Sequence, residues 1–279
     1  MLEPMRKEAR IAFRQLLIYV LVVFVILVFF LPVYWVVITA FKHGSEVFEY
    51  RFIFKPTVDN FKSVLTEASF RRYYYNSLVV SSVSTLLALL IGFPLSYALI
   101  RFGFRGRENL SFWILSLRMI PPIVVAIPFF LMFKKIGFFD TLTGLILIYT
   151  NFNLPFVVWI LRGFIENVPV ELEEAAMIDG CSRWSALRFV TVPISLVGIV
   201  TVAILCFIFV WNEFLFALVL TGVKSRTVTV AVFSFMGFAE ISWGLMCAAS
   251  VLASAPIVVF GIVVRKQLIS GLTFGALKE

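Results

Sequence analysis

Four carboxylates, Glu171, Glu173, Glu174 and Asp179, fall in one polar stretch, ELEEAAMIDGCSRWSALRFVTVP over 171–193, with long apolar runs on either side. Nothing around them makes a catalytic set. The chain has one histidine, His43, and three cysteines, Cys181, Cys206 and Cys247, without paired spacing. A histidine metal site and a disulfide framework are therefore not expected, and the cysteines read as packing residues. No Ser-His-Asp, HExxH or CxxC arrangement occurs, and no GxxxxGK[ST] phosphate loop, so the chain should not bind or hydrolyse ATP by itself. The work such a stretch can do is mechanical. Pro169 suits a first helical turn, and the glutamates put negative charge where a helix N-terminus favours it. Leu172, Ala175, Ala176 and Asp179 share one helical stripe, and the two alanines let another surface come close to the backbone. Gly180 ends the helix, Ser182 can cap a second short one, and Pro193 leads into the next apolar run. The pattern predicts helix, glycine bend, helix between two membrane spans; an ordinary amphipathic interfacial helix has the same outline.

A second group of polar residues lies inside apolar runs. Trp211-Asn212-Glu213-Phe214 interrupts a run whose previous charge is Arg188 and whose next is Lys224. A carboxylate there is costly and by default functional; the alternative is that Asn212 and Glu213 hold two helices together by hydrogen bonds. Arg118 is the one charge inside the predicted third span. It faces a water-filled path, pairs with Glu213, or snorkels to the inner interface, and the nearby basic turn favours snorkelling. Asn151, Asn153 and Pro155 form a polar break in the fourth span, where they line a path or fill a backbone gap left by Pro155. Asn212, Glu213, Asn151, Asn153 and Arg118 are thus the candidate path residues.

The elements that must position these groups are membrane helices. The 279 residues are 61% hydrophobic and 14% charged, well below the roughly 25% charged of a soluble domain. The net charge of +8 is accordingly assigned to membrane lipid and orientation, with no nucleic-acid partner expected. Spans are predicted at about 15–41, 76–100, 111–133, 141–161, 193–220 and 244–264. The first is too long for a secretory signal, whose apolar region runs about 7–15 residues. Arg6, Lys7, Arg10 and Arg14 ahead of it, and the basic turn Arg101–Arg107, argue for cytoplasmic tails at 1–14 and 269–279. Serines at 77, 81, 82, 84 and 96 and Gly92 suit close helix packing. Pro94 should bend the second span, and Pro121, Pro122 and Pro128 should kink or break the third. A short helix is expected around Val58–Leu65.

Glu174-Ala175-Ala176, then Gly180, then Val190-Thr191-Val192-Pro193 resembles the EAA loop that marks membrane subunits of binding-protein-dependent ABC importers, with Val-Thr-Val-Pro where that family usually has Ile-x-Leu-Pro. The WNEF element and the ending Gly271-Leu272-Thr273-x-Gly275-Ala276 are similar to the MalG-type branch that takes up disaccharides and oligosaccharides. The likeness is clearest from about Pro121 onward. It implies an all-α integral membrane protein of six transmembrane helices with the type I importer, MetI-like fold. It also implies a non-catalytic subunit working with a second homologous permease, two ATPase subunits that carry ATP and Mg, and an extracytoplasmic sugar-binding protein. No cofactor is expected on this chain itself. By the same likeness, 165–192 is a cytoplasmic coupling loop, with Glu171, Glu174, Ala175, Ala176, Asp179, Gly180 and Pro193 as its working residues, in a bacterial or archaeal inner membrane. The alternatives are a permease for a non-sugar solute such as a polyamine or peptide, and a secondary transporter, which would carry inverted repeats that are not seen here.

Overall fold

A computed structural model describes residues 2–49, 53–236 and 242–273. In chain order the α-helices are α1 (Leu2–Ala40), α2 (Asp59–Thr66), α3 (Ala68–Arg101), α4 (Arg107–Ser116), α5 (Pro122–Ile136), α6 (Leu142–Glu166), α7 (Val170–Ile178), α8 (Arg183–Ala186), α9 (Val192–Ile194), α10 (Leu196–Trp211), α11 (Leu215–Leu220), α12 (Val228–Phe233) and α13 (Trp243–Thr273). They fall into two compact units, residues 1–67 with 235–252, and residues 68–234 with 253–279.

In the first unit, α1 is exposed on every side from Phe13 to Tyr34. A helix apolar all round needs an apolar medium rather than water. Its C-terminal end is tied down by Asn60 of α2, whose amide donates to the carbonyls of Ala40 and Lys42 at 2.9 and 2.8 Å; these are groups that a helix end leaves without an internal partner. Lys42 is fully buried. Its ammonium donates to the Glu49 carbonyl at 2.6 Å and lies 4.7 Å from the centre of the Trp35 ring, so the charge is met by a dipole and a π face.

The second unit is built on the α3–α6 pair. Ala88, Val157, Leu161 and, from α10, Val202 and Cys206 are buried where the three helices meet. Gly92 makes the close approach possible, since a Cβ there would lie 2.5 Å from Cγ1 of Val157. One of the serines in this span also bridges the pair: the Ser96 hydroxyl reaches the Gly92 carbonyl at 2.6 Å and that of Val158 across the interface at 3.2 Å. A second apolar cluster joins α5, α6 and α11 through Phe133, Leu145, Ile148, Phe216 and Leu220.

Four helices are long and apolar enough to cross a bilayer alone: Phe13–Ala40, Ala68–Arg101, Leu142–Glu166 and Trp243–Ile262. Two bent pairs, Arg107–Met119 with Pro122–Ile136 at 91° and Arg183–Ile194 with Leu196–Trp211 at 76°, raise the number to six. The third span is broken at Ile120 and Pro121, as the prolines require: neither Pro121 nor Pro122 can donate, and a residue before proline is pushed out of the helical region; Ile120 is extended, with ψ 120°. Pro94, by contrast, lies inside a helix that continues to Arg101. The expected fifth span, 193–220, is not one helix: α10 stops at Trp211 and α11 begins at Leu215. Its apolar composition conceals a break that Asn212 and Glu213 impose. The short helix expected near Val58–Leu65 is α2. The described part of the 1–14 segment continues α1 back to Leu2, and α13 runs to Thr273; residues 274–279, with the end of the GLTxGA motif, lie outside the described residues.

Candidate functional site

The polar stretch folds as helix, bend, helix. α7 ends at Ile178, and Gly180 follows in the left-handed region at φ 95°. The amide of Gly180 donates to the Met177 carbonyl at 3.1 Å and that of Cys181 to the Ala176 carbonyl at 3.0 Å, the paired bonds of a Schellman ending. Ser182 caps α8 by accepting from the Ser185 amide at 3.2 Å. Leu172, Ala175 and Asp179 of the stripe are exposed, Ala176 is half-buried, and beside them Ile178 and Trp184 stand 86% and 65% exposed. Glu171, Glu174, Gly180 and Pro193 are exposed as well. The residues named from the sequence therefore share an outward surface with apolar and acidic groups on it.

What fastens this surface from beneath is Glu173, which is 3% exposed. Its Oε1 accepts from Arg101 Nε at 3.1 Å and Nη2 at 3.0 Å and from Thr191 Oγ1 at 2.9 Å, while Oε2 accepts from the Tyr97 hydroxyl at 2.8 Å. Arg101 Nη2 also donates to the carbonyls of Val168 at 2.7 Å and Ile165 at 3.3 Å, caring for the open carbonyl end of α6. Sequence reasoning placed Glu173 only among the carboxylates of a helix N-terminus. The overlooked signal is that, of the three glutamates, it lies off the Leu172-Ala175-Asp179 stripe, while an arginine closes the span before the basic turn. Between α8 and α10, Leu187–Thr191 forms a π-helical turn, a feature that often marks functional sites.

In the membrane interior, the structure does not bring Arg118 to Glu213. The Glu213 carboxylate accepts from the Tyr149 hydroxyl at 2.6 Å and from the amides of Phe216 and Ala217 at 3.0 and 3.2 Å. It thus caps the N-terminus of α11, an end that favours negative charge, and ties it to α6. Thr229 of α12 donates to the Glu213 carbonyl at 2.9 Å. Of the two sequence alternatives, this geometry matches helices held together. Arg118 is exposed and stacks on Phe156 and Phe209, 4.9 and 5.4 Å from their ring centres. Asn212 is exposed and bonds back to the Ile208 carbonyl at 2.8 Å. Asn153 is buried and donates to the Tyr149 carbonyl at 2.9 Å, while Asn151 is exposed. The carbonyl that Pro155 leaves unpaired, four residues back, is that of Asn151, so Asn153 does not fill that gap.

Asp140 is a further anchor that the sequence did not single out. It adopts φ 55°, a region open to aspartate at modest cost. Its carboxylate accepts from the amides of Gly222, Lys224 and Ser225 and from the Ser225 hydroxyl, all at 2.9–3.1 Å. Desolvation pushes this carboxyl up, but the bonds from Ser225, Gly222 and Lys224 outweigh it and hold the group below its usual range.

Residues 84–271 match the family described as binding-protein-dependent transport system inner membrane component. The chain is 36% identical to the trehalose/maltose transport system permease protein MalG of Thermococcus litoralis, over 88% of this chain and 91% of that protein. It is also 36% identical to the trehalose transport system permease protein SugB of Mycobacterium tuberculosis, over 89% and 92% of the two chains. Among solved structures, a chain of a bacterial ABC transporter involved in the import of the acidic polysaccharide alginate superimposes with TM-score 0.79 at 22% identity, over 91% of this chain and 96% of that one; this likeness speaks for the fold.

Proposed function

As the chain belongs to the family of binding-protein-dependent transport system inner membrane components, we propose that it is the permease subunit of an ATP-driven importer whose cargo is a di- or oligosaccharide. It spans the inner membrane several times. Its partners in this reading are a second homologous permease, two ATPases that bind ATP and Mg, and an extracytoplasmic binding protein that delivers the sugar. This chain catalyses nothing itself. Both termini and the 165–192 loop are cytoplasmic, the orientation that the basic N-terminal flank favours.

The observation that carries the mechanical part is α7: a helix exposed along Leu172, Ala175 and Asp179 yet fastened from behind by a buried carboxylate. Such a helix can seat in a cleft of an ATPase subunit and pass on its displacement. Ala175 and Ala176 allow close seating, Glu171, Glu174 and Asp179 offer charge, Gly180 makes the turn, and Pro193 leads back to the membrane. Arg118, Asn151, Asn153, Asn212 and Glu213 are the polar groups at membrane depth, and of these Arg118, Asn151 and Asn212 are exposed and are assigned to the path. The saccharide class is supported by the names of the two relatives, trehalose/maltose and trehalose.

The test is reconstitution of the chain with the products of its neighbouring genes. ATPases should co-purify with it, and proteoliposomes should take up a labelled disaccharide only with binding protein and ATP present. Uptake of an amino acid or polyamine but no sugar would overturn the cargo; ATP-independent, gradient-driven uptake would overturn the importer reading.

A further inference from the structure

Building on the permease reading, we infer that Glu173 is a positioning residue: it couples movement of α7 directly to α3, α6 and the turn leading into α10. The surface residues of α7 meet the partner, but none of them is seen to reach a membrane helix. Glu173 does. One carboxylate takes two bonds from the Arg101 guanidinium at 3.1 and 3.0 Å and one from the Tyr97 hydroxyl at 2.8 Å, both in the last two turns of α3. A fourth bond, from Thr191 at 2.9 Å, comes from the π-helical turn before α10. Through Arg101, the same cluster holds the carbonyls of Ile165 and Val168 at the end of α6.

The chemistry suits a rigid joint. Forked arginine–carboxylate bonds are directional as well as strong. Arg101 and Glu173 side chains are only 10% and 4% exposed, so neither charge can exchange its partner for water without cost. Without this joint, α7 is joined to the membrane helices only through the backbone on its two sides: the short link 167–169, and the 179–182 bend, whose Gly180 has no atom near enough to meet a side chain. Such links bend before they push. With the joint, a displacement of α7 has to displace the ends of three membrane helices.

The experiment uses the whole complex in proteoliposomes, with ATP hydrolysis stimulated by loaded binding protein and sugar uptake measured on the same preparation. Glu173→Gln keeps the shape and removes the charge; Arg101→Lys keeps the charge and removes the fork. Both should assemble and hydrolyse ATP at rates within about threefold of wild type, while sugar moved per ATP falls at least tenfold. The double variant Glu173→Gln/Arg101→Lys should be no worse than the more affected single one, because the two act through one joint. Gly198→Ala, which crowds Phe164 in the α10 packing, is the control for a purely structural lesion: it should lower the yield of complex and leave sugar per ATP unchanged. If both joint variants behave like that control, with yield, hydrolysis and uptake falling together, or if both fail to assemble, Glu173 is an ordinary structural anchor and the inference is wrong. If wild-type complex shows no stimulated hydrolysis, the failure lies in the permease reading instead.

Discussion

Asp140 and Glu213 show that a carboxylate in this protein need not be near a cation to be held. Each is gripped by backbone amides at the start of a turn or helix, and each therefore fixes local geometry. Asp140→Asn keeps the shape but surrenders the charge that four donors converge on, at a cost on the order of 2 kcal/mol after allowing for its partial exposure to water. Thermal unfolding of the purified complex should register this as a lower Tm. Because the folded carboxyl titrates below its usual value of about 3.9, its contribution is complete above that value and is lost as pH falls through the lowered one. Acid unfolding of wild type should therefore be steeper with pH than that of Asp140→Asn, and equal slopes would contradict the assignment. Glu213→Ala removes the bond to Tyr149 and the cap of α11 together. Assembled complex and transport should drop in proportion; a transport loss at full assembly would return Glu213 to the path. The sequence identified Glu213 as exceptional because a lone charge stands out in an apolar run. It could not reveal the use, since Tyr149 lies 64 residues away. Glu173 was harder still: among neighbouring carboxylates, only the fold determines which one turns inward.

For the helices, the legible features were those written in local chemistry. Proline pairs broke the third span, glycine ended α7, and serine capped α8, because each acts on its own backbone. The fifth span was misjudged as 193–220 because apolar composition reports burial in the membrane and not whether a helix runs unbroken. Two glycines separate local from tertiary demands. At Gly180 the φ of 95° is the whole difficulty, as no atom lies within 4 Å of a Cβ; Gly180→Ala should cost about 1 kcal/mol. At Gly198 a Cβ would stand 2.3 Å from Cγ of Phe164, so Gly198→Ala should lower the Tm of the complex further than Gly180→Ala does. Gly180→Asp adds charge to the exposed bend. It should abolish transport and leave the binding protein's affinity for its sugar unchanged; wild-type uptake by this variant would remove 165–192 from the coupling role.

At the scale of the molecule, orientation is testable with single cysteines in a background lacking Cys181, Cys206 and Cys247. An impermeant thiol reagent added to intact cells should label cysteines placed at Asp59 and Lys224 and spare those at Arg105 and Ser182; labelling at 182 would invert the topology. One feature of α1 reaches beyond the protein. Its apolar stretch Phe13–Ala40 is 28 residues long and rises about 42 Å, whereas a typical hydrocarbon core is about 30 Å thick. A helix so oversized meets the mismatch by leaning well beyond the average of about 20° or by thickening the lipid around it. Membrane thickness thereby becomes a variable that this chain responds to. In bilayers of lengthening acyl chains, α1 should stand progressively more upright, as read from the orientation of a label on the helix in aligned membranes, and the same lipids would be expected to gather around it in a mixed membrane.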